Sequence, residues 1–266
     1  MKDDLLLRWV LALYTALIFL FVFAPIAASL VFSFNSDRFP TIPLGSFTTD
    51  WYVKAFSNPE VWDAALRSLI VSSVTAVIAT AIGFSAAYTD YRYDFFGKKA
   101  FLVLALLPPT IPLIILALAM LGWLSMFNAS GMTISIILAH TVLCAPFAMA
   151  VIRLRLNQMD PNLEPAAWNL GASEWVTMKS VVIPFTLPSI IASLCLTAAV
   201  SFDEFAVAWF VSGLNKTVPV VILEILTGNI DPQVNAIGTA VFLVSITLVV
   251  IAQMLVMGRA RKPEAA

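Results

Sequence analysis

The chain has 266 residues, of which 61% are hydrophobic and 12% charged, with a formal net charge of −1 and a mean hydropathy of +0.94. Soluble domains carry about 25% charged residues, so half that charge beside an apolar majority excludes an ordinary soluble fold and points to an integral membrane protein. The charge balance, with no basic run, lends no support to nucleic-acid binding.

A helix needs about 20 apolar residues to cross a bilayer, and six stretches qualify. The first, residues 9–34, follows the acids Asp3 and Asp4 and is too long for the apolar core of a secretory signal, so it reads as a retained helix. Residues 35–64 are rich in proline, serine and tryptophan, with Pro40, Pro43, Trp51 and Trp62; tryptophans commonly mark the membrane interface. The Asn58-Pro59-Glu60 turn predicts a short interfacial helix leading into the second span, residues 69–89. The third span, 100–126, contains Leu107-Pro108-Pro109-Thr110-Ile111-Pro112, which predicts a kink. Broken helices at mid-membrane line transport paths in many carriers; a purely structural kink is the equal alternative. The fourth span, 132–152, carries His140 and Cys144, which read as packed core residues, as does Cys195 further on.

The loop 153–182 is polar and turn-rich. Asp160-Pro161 ends the preceding helix, because a residue before proline disfavours the α region. Proline is tolerated in a first helical turn, where its missing N–H has no partner anyway. With Asn162 as N-cap, Pro165 is the third residue of a short helix over 163–170, and Gly171 supplies its stop. Ser173 caps a second helix with Glu174 in its first turn. Small Ala166 and Ala167 leave room for another backbone to approach. The second helix runs into the fifth span, 181–212, and meets Pro184 and Pro188.

Asp203 and Glu204 interrupt that fifth span after Val200-Ser201-Phe202. A carboxylate inside the membrane is costly unless it faces a cavity or a partner. Neighbouring helical positions point about 100° apart, so the two are not expected to face one pore. They read either as a structural pair or as groups on the path of a cationic substrate, with Phe202 and Trp209 stacking on it or simply packing. Residues 213–234, with Pro219, Gly228 and Pro232, predict a loop and a short helix carrying Glu224 and Asp231; the sixth span follows at 236–257.

Six spans put both termini on one side. Eleven of the fifteen basic residues fall on the terminal tails and on the loops after the second and fourth spans; Arg38, Lys54, Arg67 and Lys216 are the other four. The positive-inside rule therefore makes both termini and the Glu164 loop cytoplasmic.

The loop resembles the EAA loop of permease subunits of ATP-binding-cassette importers: Glu-Ala-Ala, three residues, Gly, nine residues, Ile, one residue, Leu-Pro. Here the positions are Pro165-Ala166-Ala167, Gly171, Val181 and Ile183-Pro184, with Pro165 at the glutamate position and Glu164 one residue earlier. Residues 46–52, 201–205 and 231–236 are similar to the spermidine/putrescine branch of that family. The resemblance implies an all-α membrane protein of six transmembrane helices with the type I importer fold, one permease domain over 1–266, in the bacterial cytoplasmic (inner) membrane. It also implies that Glu164, Pro165, Ala166, Ala167, Gly171 and Pro184 couple the chain to a cytoplasmic ATPase dimer. An external solute-binding protein and a second, homologous permease complete the machine within the lipid. The chain itself would be non-catalytic and bind no metal, with ATP and magnesium held by the ATPase: Gly97-Lys98-Lys99 lacks the upstream glycine and the hydroxyl residue of a phosphate loop. Other small solutes (an opine, an amino-acid-like compound, an aminophosphonate) stay open as substrates. A membrane-embedded enzyme is the reading from another class, and one histidine is a poor toolkit for its acid–base chemistry.

Overall fold

The computed structural model describes residues 2–39, 42–228 and 231–260; Pro40, Arg261 and Lys262 lie outside them. Among the described residues every regular element is helical. The helices are α1 (Lys2–Phe32), α2 (Asp50–Phe56), α3 (Pro59–Arg92), α4 (Lys98–Leu106), α5 (Leu113–Met126), α6 (Thr133–Leu156), α7 (Leu163–Asn169), α8 (Glu174–Thr177), α9 (Ile183–Asp203), α10 (Ala206–Val211), α11 (Val218–Gly228) and α12 (Gln233–Ala260). Among the described residues, four uninterrupted stretches are long and apolar enough to cross a membrane: Leu7–Phe32, Pro59–Arg92, Thr133–Leu156 and Glu174–Asp203.

Three elements differ from the sequence expectation. No separate interfacial helix starts at Asn58. Instead Asn58 accepts a bond from the Glu60 N–H at 3.0 Å, Pro59 takes the first helical position, and nothing breaks the helix for 34 residues. At 1.5 Å per residue α3 is about 50 Å long, well beyond the hydrocarbon core. The short helix of this segment is α2, which ends before Asn58. The proline run does more than kink the third span: α4 ends, Pro108–Thr110 form a 3₁₀ turn, Ile111 is extended, and α5 restarts after Pro112. Each proline removes a backbone donor, and three within five residues leave no continuous ladder.

The fifth span is divided as well. Glu204 is extended, with ψ 116°, and α9 gives way to α10. No glycine or proline marks this break. At its other end α9 is entered through a π turn, Met178–Val182, which widens the backbone just before Pro184 withholds its N–H.

The chain forms two compact units. In the unit of residues up to Trp62 with Ile222–Val244, the segment after α1 is tied down by side chains. Trp51 donates its indole N–H to the Asn35 carbonyl at 2.8 Å. The Asn35 amide oxygen accepts from the Gly45 N–H at 2.8 Å. Ser33 and Tyr52 share a hydroxyl hydrogen bond of 2.7 Å. Lys54 pairs with Asp231. Burial alone would push the Asp231 carboxyl up, but the Lys54 ammonium and the Gln233 N–H outweigh it and hold it below the usual carboxylate range. The apolar stretch of α1 is unburied along its length, with Phe21 82% exposed, as expected of a helix that faces lipid or another chain.

In the unit of Asp63–Val221 with residues from Ser245, α6 is the central helix and packs along α9. The buried face of α9 is a row of hydroxyls, Thr186, Ser189, Ser193, Thr197 and Ser201. Several bond back to carbonyls of their own helix, as Thr197 does to Ser193 at 2.7 Å. Small residues let membrane helices approach closely where lipid gives little hydrophobic drive. His140 is fully buried against this row, its Nδ1 2.8 Å from the Ser201 hydroxyl, and Cys144 is buried one turn on. Leu116, Met120 and Leu124 of α5 form one buried cluster with Ile136 and Leu143 of α6 and Val207 and Val211 of α10.

Helix α3 touches α6 at Gly83. A Cβ built there lies 2.7 Å from both the Ala148 Cβ and the Met149 backbone nitrogen. Gly83→Ala is therefore expected to destabilise the fold by about 1–3 kcal/mol through overpacking, read as a lower unfolding midpoint in detergent; an unchanged midpoint refutes this close contact.

Candidate functional site

Two places gather the polar residues singled out in the sequence. The first is the loop between α6 and α9. Helix α7 covers Leu163–Asn169, with Pro165 in its first turn. The Asn162 side chain does not cap it. Asn162 is itself held by Asp160, whose carboxylate accepts the Asn162 backbone N–H at 2.9 Å, so the cap position is right and the capping bond is not made. The C-terminal stop is as expected. Gly171 has φ +85°, its N–H reaches the Trp168 carbonyl at 2.9 Å, and the Ala172 N–H reaches the Ala167 carbonyl at 3.0 Å. These two bonds are the Schellman pattern that satisfies the last carbonyls of a helix. Ser173 then caps α8, its hydroxyl accepting the Val176 N–H at 3.3 Å.

The side chains of α7 divide by face. Pro165 and Ala166 are exposed and Ala167 is half-buried, and Leu170 just before the glycine and Trp175 beyond it are 90% and 72% exposed. The loop thus offers a small-residue helix flanked by uncovered apolar side chains, a surface suited to a protein partner. Pro184 is exposed at the start of α9. Glu164 points the other way. It is 4% exposed, accepts the Tyr88 hydroxyl at 3.2 Å, and lies 3.4 Å from the Arg92 Nε.

The second place is the break between α9 and α10. A cleft of about 660 Å³ opens there, walled by Pro109, Leu113, Leu143, Phe147 and Phe205 and carrying Asp203 and Glu204. Both carboxylates reach this one cleft because the helix ends between them and the 100° rule of a continuous helix no longer applies. Their roles differ. Asp203 is exposed to the cleft. Glu204 is buried and its Oε1 accepts the Val207 N–H at 3.0 Å, so it caps α10. Phe202 is buried and does not line the cleft, and neither does Trp209, which stacks at a tilt on Phe205 at 5.9 Å. Phe205 takes the lining position that the sequence suggested for Phe202. No local signal in the sequence marks Phe205; which phenylalanine lines the cleft follows from where α9 ends.

A family profile described as the inner membrane component of binding-protein-dependent transport systems matches residues 79–262. The spermidine/putrescine transport system permease protein PotC of Haemophilus influenzae is 31% identical over 239 residues, which is 90% of this chain and 93% of that protein. The putrescine transport system permease protein PotI of Escherichia coli is 29% identical, covering 84% and 82%. The putative 2-aminoethylphosphonate permease PhnV of Salmonella typhimurium is 27% identical, covering 90% of each. In fold, the chain is similar to a bacterial ABC transporter involved in the import of the acidic polysaccharide alginate, with TM-score 0.78, 19% identity and 98% of both chains covered. The profile match over more than half the chain, together with the PotC likeness along nearly all of it, makes this protein a member of the family of inner-membrane permease components of binding-protein-dependent ABC transport systems.

Proposed function

We propose that the chain is one of two permease subunits of an ATP-driven importer in a bacterial cytoplasmic membrane, moving a small polycation of the spermidine/putrescine class. The observation that carries this reading is the 31% identity to a polyamine permease across nine-tenths of the chain. The exposed Asp203 carboxylate in a largely apolar cleft supports it, since an ammonium-bearing substrate finds there a counter-charge and an aromatic wall. Six crossings follow if α4 and α5 together make the third, α9 with α10 the fifth and α12 the sixth, with α1, α3 and α6 as the others. The basic residues then put both termini and α7 in the cytoplasm. On this reading Pro165, Ala166, Ala167 and the turn at Gly171 dock on one subunit of a cytoplasmic ATPase dimer, which holds ATP and magnesium. A second, homologous permease covers the exposed face of α1, and an external binding protein delivers the solute.

The test is uptake by the complete importer in proteoliposomes. Labelled spermidine should accumulate only with ATP inside and binding protein outside, and excess putrescine should compete. Competition by 2-aminoethylphosphonate and not by putrescine would replace the substrate class with that of the 27% identical relative. The purified single chain is expected neither to bind nor to hydrolyse ATP; turnover by it alone would overturn the subunit assignment.

A further inference from the structure

Helix α7 has only seven residues, and isolated helices so short do not hold themselves together in water. What holds it is one face. Glu164 and Trp168 are four residues apart and so lie on the same side of the helix. That side meets the last turns of α3. The Tyr88 hydroxyl donates to Glu164 Oε2 at 3.2 Å, and the Arg92 Nε lies 3.4 Å from the same oxygen. The Arg92 guanidinium also covers the Trp168 ring at 4.6 Å from its centroid. Arg92 thus engages both α7 residues at once, by charge and by stacking, which a lysine would not reproduce. Two residues earlier on α3, Asp90 is buried and pairs with Arg153 of α6 at 2.5 Å. The end of α3 is therefore a junction fastened to α6 on one side and to α7 on the other.

This arrangement gives a use to the irregularity of the loop motif. The carboxylate stands one residue before the position now filled by Pro165, and on a helix that single step turns a side chain by about 100°. Glu164 is thereby removed from the exposed face that carries Pro165 and Ala166 and directed into the protein.

We propose that Glu164 is a positioning residue: with Trp168 it clamps α7 to the end of α3 through Arg92 and Tyr88, so that α3 and α7 move as one body when the ATPase closes. The clamp rests on the reading of α7 as the ATPase dock, and it identifies α3 as the helix that first receives the stroke. Its failure leaves α7 docked while the pull no longer reaches the membrane.

The experiment uses the complete importer in nanodiscs, with Glu164→Gln, Arg92→Ala, the double variant and Arg92→Lys. The readout is the ratio of ATP hydrolysis with and without substrate-loaded binding protein, alongside co-purification of the ATPase. Each of the first two variants should retain the ATPase yet lose about tenfold of the stimulation ratio, the size of a typical coupling between sites. The double variant should be no worse than the worse single one, because both remove the same interaction. Arg92→Lys keeps the charge and loses the stack, so it should fall between wild type and Arg92→Ala, and it covers the case in which the alanine variant does not fold. Wild-type stimulation in Glu164→Gln and Arg92→Lys, with the ATPase bound, overturns the clamp alone. An ATPase that does not bind the wild-type permease pair overturns the docking reading, and the clamp with it.

Discussion

Gly171→Val is expected to abolish most solute uptake while ATP hydrolysis by the assembled importer continues. Gly171 has φ +85°, and a Cβ added there meets nothing within 4 Å. The substitution therefore acts through the backbone alone. A left-handed conformation costs an L-residue about 1–2 kcal/mol, and a β-branched side chain is the least tolerant of it. The two bonds that close α7, from the Gly171 and Ala172 N–H groups to the Trp168 and Ala167 carbonyls, both depend on that conformation. A valine shifts the equilibrium toward turns that release them, and α8 then enters from a different direction. The strain is too small to unfold the remainder of the chain, so assembly should survive. Uptake per ATP hydrolysed is expected to fall by about an order of magnitude, on the scale that 1.4 kcal/mol sets, with Gly171→Ala in between. Unchanged uptake in Gly171→Val would remove the loop from the coupling path.

Asp203→Asn is expected to have the second largest effect, on the substrate side. The side chain keeps its size and loses its charge. Asp203 is exposed to a cleft of about 660 Å³ whose other walls are largely apolar. A unit charge pair at about 4 Å is worth about 4 kcal/mol at the effective dielectric near a protein surface; hydration of the substrate and of the carboxylate cancels much of it. A net loss of about 1–2 kcal/mol corresponds to about a 5–30-fold decrease in spermidine uptake at low substrate concentration. Asp203→Glu should recover part of it. Normal uptake kinetics in Asp203→Asn would make the carboxylate structural. The position of the two acids matters here: Glu204 already caps α10 through the Val207 N–H, so Asp203 is the carboxylate left for a ligand.

Much of the loop between α6 and α9 could be read directly. Pro165, Gly171 and Ser173 each constrain the backbone through their own covalent structure or a nearby bond, and the limits of α7 and the cap of α8 came out where those residues imply. The proline run likewise announced the interruption between α4 and α5, although three lost donors produced a full break where a kink was expected. The break after Asp203 was not legible. Nothing local marks it: no glycine or proline stands there, and α10 is placed by its packing on α5 and α6. Phe202 shows the same dependence: the sequence offers it as a path residue, and that Phe205 faces the cleft instead was decided by where α9 stops.

The amino-acid sequence by itself determined the helical membrane class, the family motif and the local geometry of the loop, because apolar run length, proline and glycine act over a few neighbouring residues. Only the tertiary structure decided the direction in which each charge points. Glu164 is turned inward by Tyr88 and Arg92, residues 76 and 72 positions earlier in the chain, and a buried carboxylate persists only where such distant partners compensate its lost hydration.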